Sequence, residues 1–245
     1  MKNTERACLI VGAGAGLGAS LARAFAREGL TVCLTRRPRH REALDALVAE
    51  IEASGGEARG FGVDARSEDD MVALINEIED DVGPLEVVVF NIGANVFFPV
   101  TETTTRVYTK VWEMAALAGF LTGREAARVM APRERGAILF TGATASQRGA
   151  AGFSAFAGAK HALRALAQSM ARELGPSGIH VAHVVIDGAI AGDFTRANLP
   201  DYEARLARSE ILQPDEIAAN YVWLWKQPKS AWTHELDLRP WTEKW

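Results

Sequence analysis

The stretch Gly12-Ala13-Gly14-Ala15-Gly16-Leu17-Gly18 constrains the fold more than any other part of the chain. It follows an apolar run at residues 7–11 and runs directly into residues 17–28, whose apolar positions recur with a helical period. Glycines at a strand-to-helix turn allow a tight reversal and let backbone N–H groups and the helix N-terminus approach an anion. With a first strand before it and a helix after it, such a loop points to the pyrophosphate of a nucleotide rather than to a merely structural turn.

The rest of the chain repeats the alternation that this turn begins. Short β-type runs at residues 31–35, 58–63 and 86–90 alternate with helical stretches at 41–53, 68–81 and 104–130. A strand at 137–140, a helix at 152–174 and a strand at 179–186 complete the series. Gly29 closes the first helix, Ser67 with Asp70 opens the third, and Gly83-Pro84 ends it. The pattern predicts a Rossmann-type doubly wound parallel sheet with helices on both faces, formed by a single domain over residues 1–245. The pattern loosens over residues 187–213, where a mobile substrate lobe is expected, before Pro214 opens a short helix and residues 233–238 form a last strand. Helix 152–174 carries Leu163, Leu166, Met170 and Leu174 on one stripe and is otherwise thin, with Ala155, Ala157, Gly158, Ala159, Ala162, Ala165 and Ala167. It either packs within the domain alone or is shared across the two-fold interface of a homo-dimer or homo-tetramer.

Composition excludes several classes. A net charge of −4 without a basic stripe speaks against nucleic acid as a partner. The two cysteines, Cys8 and Cys33, sit inside apolar runs and read as core thiols. Lys2 and Arg6 before the uncharged residues 7–22 superficially resemble a signal peptide, but glycines at 12, 14, 16 and 18 suit a turn and the run is too short to span a bilayer. A cytoplasmic protein with no membrane partner is expected. No metal is expected either: His180 and His183 are an odd number apart in a strand and point to opposite faces, His161 faces another side of its helix from Lys160, and His40 and His234 lack ligand partners at useful spacing. The three central histidines read as core or surface residues.

The spacing Gly12-xxx-Gly16-x-Gly18 resembles the glycine motif of short-chain dehydrogenases/reductases, with Val11 where the family usually has Thr. Asn91-Ile92-Gly93 follows the fourth strand as that family's Asn-Ala-Gly does, Asp64 follows the third strand, and residues 162–185 are similar to the family's long helix and sixth strand. The resemblance covers nearly the whole chain. It implies a pyrophosphate cradled by Gly12, Ala15, Gly16, Leu17 and Gly18, and adenine held by Asp64 and Ala65. It further implies an adenosine ribose bordered by Asn91, Ile92 and Gly93, a nicotinamide ribose held by Lys160, and a nicotinamide amide met by Gly188 and Ile190. At the end of the second strand stand Arg36 and Arg37, with no acid to accept a 2′-hydroxyl, so NADP(H) is favoured over NAD(H). The alternative is that these arginines, with Arg39 and Arg41, form a solvated face. Asp187 replaces the family's usual Pro and is either a solvated loop residue or a new polar group in the site.

In this family a Tyr four residues before the Lys donates a proton to the carbonyl oxygen. Here that position before Lys160 is Phe156, whose ring has no proton to give. The serine position, thirteen residues before Phe156, is Ala143, with Thr141, Thr144 and Ser146 nearby, and the asparagine position is Ala116. Lys160 remains, to position the cofactor or, with a lowered pKa, to act as an acid. The serine hydrolase elbow is absent from Gly152-Phe153-Ser154-Ala155-Phe156, which lacks its final glycine. The expected function is an NADP(H)-dependent oxidoreductase of atypical chemistry, transferring hydride to an activated C=C or carbonyl of a small, apolar substrate without a Tyr acid. The alternatives are a catalytically inactive nucleotide-binding sensor or oligomer partner, and carbonyl reduction using Lys160, Asp187 or Tyr202.

Overall fold

The computed structural model describes residues 6–244; Lys2 lies outside them. The near-continuous apolar runs become strands buried on both faces: β1 (Ala7–Val11), β2 (Thr31–Arg36), β4 (Leu85–Phe90), β5 (Gly136–Thr141) and β6 (Ile179–Ile186). The more polar β3 (Ala58–Gly62) and β7 (Glu235–Leu238) take the two edges. All seven strands are parallel, in the order β3-β2-β1-β4-β5-β6-β7. The chain winds outward from β1 to β3 and then crosses back to β4, so it leaves the adjacent carboxyl ends of β1 and β4 in opposite directions and a crevice opens above them.

Helices α1 (Leu17–Arg27), α2 (Arg41–Ala53) and α9 (Pro214–Trp225) bury their apolar faces on one side of the sheet. On the other side lie α3 (Glu68–Asp81), α5 (Ala118–Met130) and α6 (Ser154–Leu174). A smaller cluster joins α4 (Thr105–Trp112) to the start of α6 through Val111, Ala115, Ala155, Phe156 and Ala159. Ser67 caps α3 by accepting from the Asp70 N–H, and Gly29 ends α1 in the left-handed region at φ +76°. Cys8 and Cys33 are buried, and burial pushes the Cys33 thiol up to about 12.

Two stretches differ from their periodicity. Residues 104–130 are not one α-helix: Glu113–Leu117 form a wider π turn between α4 and α5. A period of 3.6 residues carries no signal for one wide turn. Residues 187–213 hold two short helices, α7 (Asp193–Asn198) and α8 (Tyr202–Ala207), each too short for a periodic stripe. No helix among the described residues is long and apolar enough to cross a membrane.

Candidate active-site groove

The glycine loop is built by local necessity. The chain leaves β1 through Gly12 at φ +100°, and the N–H groups of Gly12 and Ala13 donate to the Thr35 carbonyl at 3.3 and 3.0 Å. Gly18 opens α1 so close beneath this turn that a Cβ on it would lie 2.5 Å from the Gly12 oxygen. Asn91 fastens the opposite wall, its N–H donating to the Val11 carbonyl at 2.8 Å and its Nδ2 to the Gly12 carbonyl at 3.1 Å. A Cβ on Gly14, Gly16 or Gly93 would meet nothing within 4 Å. These positions face open space, which leaves room for a ligand to approach the backbone.

One groove crosses the carboxyl ends of β1 and β4, with Asn91, Ile92 and Gly93 lining both halves. Its first half is bounded by Thr35, Arg36, Arg37, His40, Asp64 and Arg66. Arg66 donates through Nε to Asp64 at 2.9 Å and also through Nη2, which holds the Asp64 carboxyl below the usual carboxylate range. Arg39 Nε donates to His40 Nε2 at 3.2 Å, so that nitrogen accepts and the ring proton resides on Nδ1. Desolvation first, and then Arg36, Arg39 and Arg37, keep His40 below its ordinary pKa. Among the described residues the only carboxylate lining this half, Asp64, is thus already paired, and the facing charge is that of Arg36 and Arg37.

The second half is a cavity of about 500 Å³, a size suited to a small molecule. Phe153, Phe156, Ala143, Ile186 and Ile190 give it apolar walls, and Lys160, Thr144 and Arg148 supply polar groups. Lys160 is 2% exposed and donates to the carbonyls of Thr141 at 2.9 Å and Ile92 at 3.3 Å. Burial pushes its ammonium down to about 8. Phe156, one turn earlier on α6, sets its ring centroid 5.8 Å from Lys160 Nζ.

The groove brings together Gly12, Leu17, Arg36, Arg37, Asp64, Ala65, Asn91, Ile92, Gly93, Lys160, Gly188 and Ile190, with Phe156 and Ala143 at the acid and serine positions. Ala15, Gly16 and Gly18 belong to the loop without lining either half. Ala116, at the asparagine position, is buried in the π turn and lines neither half, while Met114 of the same turn lines the first half. One expectation is corrected. Asp187 is not a solvated loop residue: it is fully buried behind the cavity wall. Its carboxylate accepts from Thr144 Oγ1 at 2.6 Å and from both terminal nitrogens of Arg148 at 3.2 Å, with Arg239 at 3.5 Å. Arg239 also pairs with Asp237. His180 and His183 are both buried, the first donating to the Thr233 carbonyl at 2.9 Å and the second facing Glu235 at 3.2 Å.

Sequence reasoning missed His40, Arg66 and Arg148. Arg66, two residues after Asp64, had a local signal, because that spacing lets a guanidinium fold back onto the carboxylate; His40 and Arg148 had none.

The model of the short chain dehydrogenase family matches residues 6–203. Among solved structures, a short-chain dehydrogenase from Rhodopseudomonas palustris is 49% identical with a TM-score of 0.81, over 96% of this chain and 99% of that one. A metagenomic short-chain oxidoreductase in complex with NADP is 25% identical with a TM-score of 0.79, over 96% of each chain. Momilactone A synthase of Oryza sativa subsp. japonica is 31% identical over 237 residues, covering 91% of this chain and 84% of that protein. With its parallel sheet, glycine turn and groove across β1 and β4, the chain belongs to the short-chain dehydrogenase/reductase family of oxidoreductases.

Proposed function

We propose that this protein is an NADP(H)-dependent reductase that acts on an activated C=C or a carbonyl of a small, apolar substrate without a tyrosine acid. The observation that carries this is the pairing of a basic, acid-free end of β2 with an otherwise family-like groove in which Phe156 and Ala143 replace the hydroxyl groups. The open positions at Gly14, Gly16 and Gly93 fit a dinucleotide, because side chains there would stand where its phosphates and ribose must pass. Arg36 and Arg37 would hold a 2′-phosphate, Asp64 and Ala65 the adenine, Asn91 and Gly93 the adjoining ribose, Lys160 the nicotinamide ribose, and Gly188 and Ile190 the carboxamide. A bound nicotinamide dinucleotide supplies hydride chemistry. Phe153, Phe156 and Ile190 would exclude water from the reacting carbon and select an apolar body.

The same reading includes a homo-oligomer built on α4, α5 and α6, supported by the exposure of Tyr108, Trp112 and Phe120 beside the thin α6. It also includes a substrate lobe at residues 187–213, supported by Phe194, 74% exposed on α7.

Fluorescence titration with NADPH and NADH, followed by turnover assays on matched enones, ketones and alcohols, tests this. NADPH binding about tenfold or more tighter than NADH, with NADPH oxidation on an enone or ketone, is the expected result. Equal affinity for both nucleotides contradicts the NADP preference. Tight binding without turnover on any substrate contradicts the reductase and favours a nucleotide-binding protein.

A further inference from the structure

A substrate in the second half of the groove needs a polar anchor as well as apolar walls, and most of the side-chain donors lining that cavity are already spent. Lys160 and Asn91 donate to backbone carbonyls and, in the reading above, meet the two riboses. Thr141 Oγ1 pairs with the Tyr221 hydroxyl at 2.8 Å, and Thr144 Oγ1 donates to Asp187 at 2.6 Å. Among the described lining residues, the side chains left with N–H groups for a substrate are Arg148 and Asn95. A neutral amide has no charge to offset the cost of taking an anion out of water, whereas a guanidinium has.

Arg148 is held in a way that prepares it for an anion. Its Nη1 and Nη2 each donate once to the Asp187 carboxylate at 3.2 Å, an end-on pairing that spends two of the five guanidinium N–H bonds. The Nε–H and the second N–H of Nη2, parallel along one edge, have no hydrogen-bond acceptor among the described residues. Glu243 Oε1, 3.9 Å from Nη2, is beyond hydrogen-bond reach. That edge is the fork that matches the two oxygens of a carboxylate. Asp187 is fully buried and shared with Arg239 at 3.5 Å, which Asp237 also pairs, so its single charge is divided between two guanidiniums. None of Asp187, Asp237 and Glu243 lines the cavity, whose charged lining residues are Arg148 and Lys160. A buried ion pair is a poor source of stability by itself. What Asp187 achieves is to fix a long side chain in a cavity walled by Phe153, Phe156 and Ile190, so that little rotamer freedom is lost when an anion arrives.

We propose, resting on the reductase reading above, that Arg148 is the carboxylate-binding residue of this cavity and that the substrate is an oxo acid or an unsaturated acid. Its apolar body lies against Phe153, Phe156 and Ile190, and its carboxylate takes the Nε–Nη2 edge of Arg148. One guanidinium with one open fork suits a monoanion with two coplanar oxygens better than a phosphate dianion. An ester of the same acid fills the same apolar walls but brings no charge to the fork, so acid and ester are told apart by Arg148 alone. Asp187 is a positioning residue that acts through Arg148.

Binding and turnover test this separately. In protein saturated with NADP+, calorimetric titration compares trans-cinnamate, phenylbutanoate and phenylhexanoate with their methyl esters. At least one acid is expected to bind about tenfold or more tighter than its ester. Arg148→Met is expected to lose about tenfold or more on that acid while staying within about threefold of the parent on the ester and on NADP+. Arg148→Lys keeps a cation beside Asp187 but lacks the parallel pair of N–H groups, and is expected to lose about fivefold on the acid alone. With NADPH, the reduction of benzoylpropionate and of its methyl ester is read in the same way: Arg148→Lys is expected to raise KM for the acid, to leave its kcat within about threefold and to leave the ester unchanged. No preference for any acid in a parent that binds NADP+, equal losses on acid and ester in Arg148→Lys, or a parent that reduces the ester faster than the acid overturns the carboxylate assignment alone. A parent that oxidises no NADPH on any carbonyl overturns the reductase reading, whereas the acid-to-ester binding ratio, read without turnover, still decides whether Arg148 holds a carboxylate.

Discussion

Burying an unpaired ammonium costs stability, and the cost depends on pH in a way that isolates Lys160. Its folded-state pKa is about 8 against 10.5 for a free lysine, so between those values the unfolded chain binds the proton that the folded protein has released. Stability therefore rises with pH across that window, and below pH 8 the full penalty of burial is present. At 1.36 kcal/mol per pH unit the span corresponds to roughly 3 kcal/mol. Replacing Lys160 with Met removes the titrating group while keeping an unbranched chain in the site. Other raised groups, such as Cys33 and Tyr221, are common to both proteins and cancel in the difference. Urea unfolding at about pH 7, 8, 9 and 10, with ΔG extrapolated to water, is the assay. The parent is expected to gain roughly 2–3 kcal/mol relative to Lys160→Met between the first and last of these pH values. A difference that stays flat within about 0.5 kcal/mol means that Lys160 is not desolvated as described.

Three further outcomes follow from other contacts. Asp187→Asn leaves Arg148 and Arg239 without their shared buried countercharge and is expected to cost about 3 kcal/mol in urea unfolding. Adding Arg148→Met should recover part of that loss, and a cost under about 1 kcal/mol would deny Asp187 its structural role. Gly18→Ala forces a Cβ to within 2.5 Å of the Gly12 oxygen; a loss of about 2 kcal/mol in stability and at least about tenfold in NADPH affinity is expected. Unchanged NADPH affinity in that variant would contradict a tight seat for the loop on α1. Arg36→Ser with Arg37→Ser should weaken NADPH by roughly 10- to 100-fold and leave NADH nearly unchanged, measured by fluorescence titration; equal losses for both nucleotides would remove the 2′-phosphate from the account.

What could be read from the residues alone was whatever local chemistry determines. The strands were legible because runs such as residues 87–90 and 184–186 are apolar without alternation, as in strands buried on both faces. The Phe156–Lys160 register was legible because a single uninterrupted helix carries both residues. Asp187 was not, because its burial depends on Arg148 in the loop after β5 and on Arg239 near the end of the chain, partners that no local pattern announces. The burial of Ala116 was not legible either, because a period of 3.6 residues gives no sign of the π turn at Glu113–Leu117 that holds it. The basic end of the groove was only half visible, since Arg36 and Arg37 adjoin a strand end while Arg66 and His40 arrive there through the loops after β3 and β2.

The central claim is that this groove transfers hydride although its tyrosine position holds Phe156. Mass spectrometry of product formed from NADPH deuterated at the nicotinamide C4, with an enone or ketone that the parent turns over or with high enzyme in a single turnover, tests it most directly. The account predicts one deuterium on the reduced carbon from one of the two C4 stereoisomers and none from the other. Absence of deuterium with both stereoisomers, in a protein that binds NADPH, would contradict it.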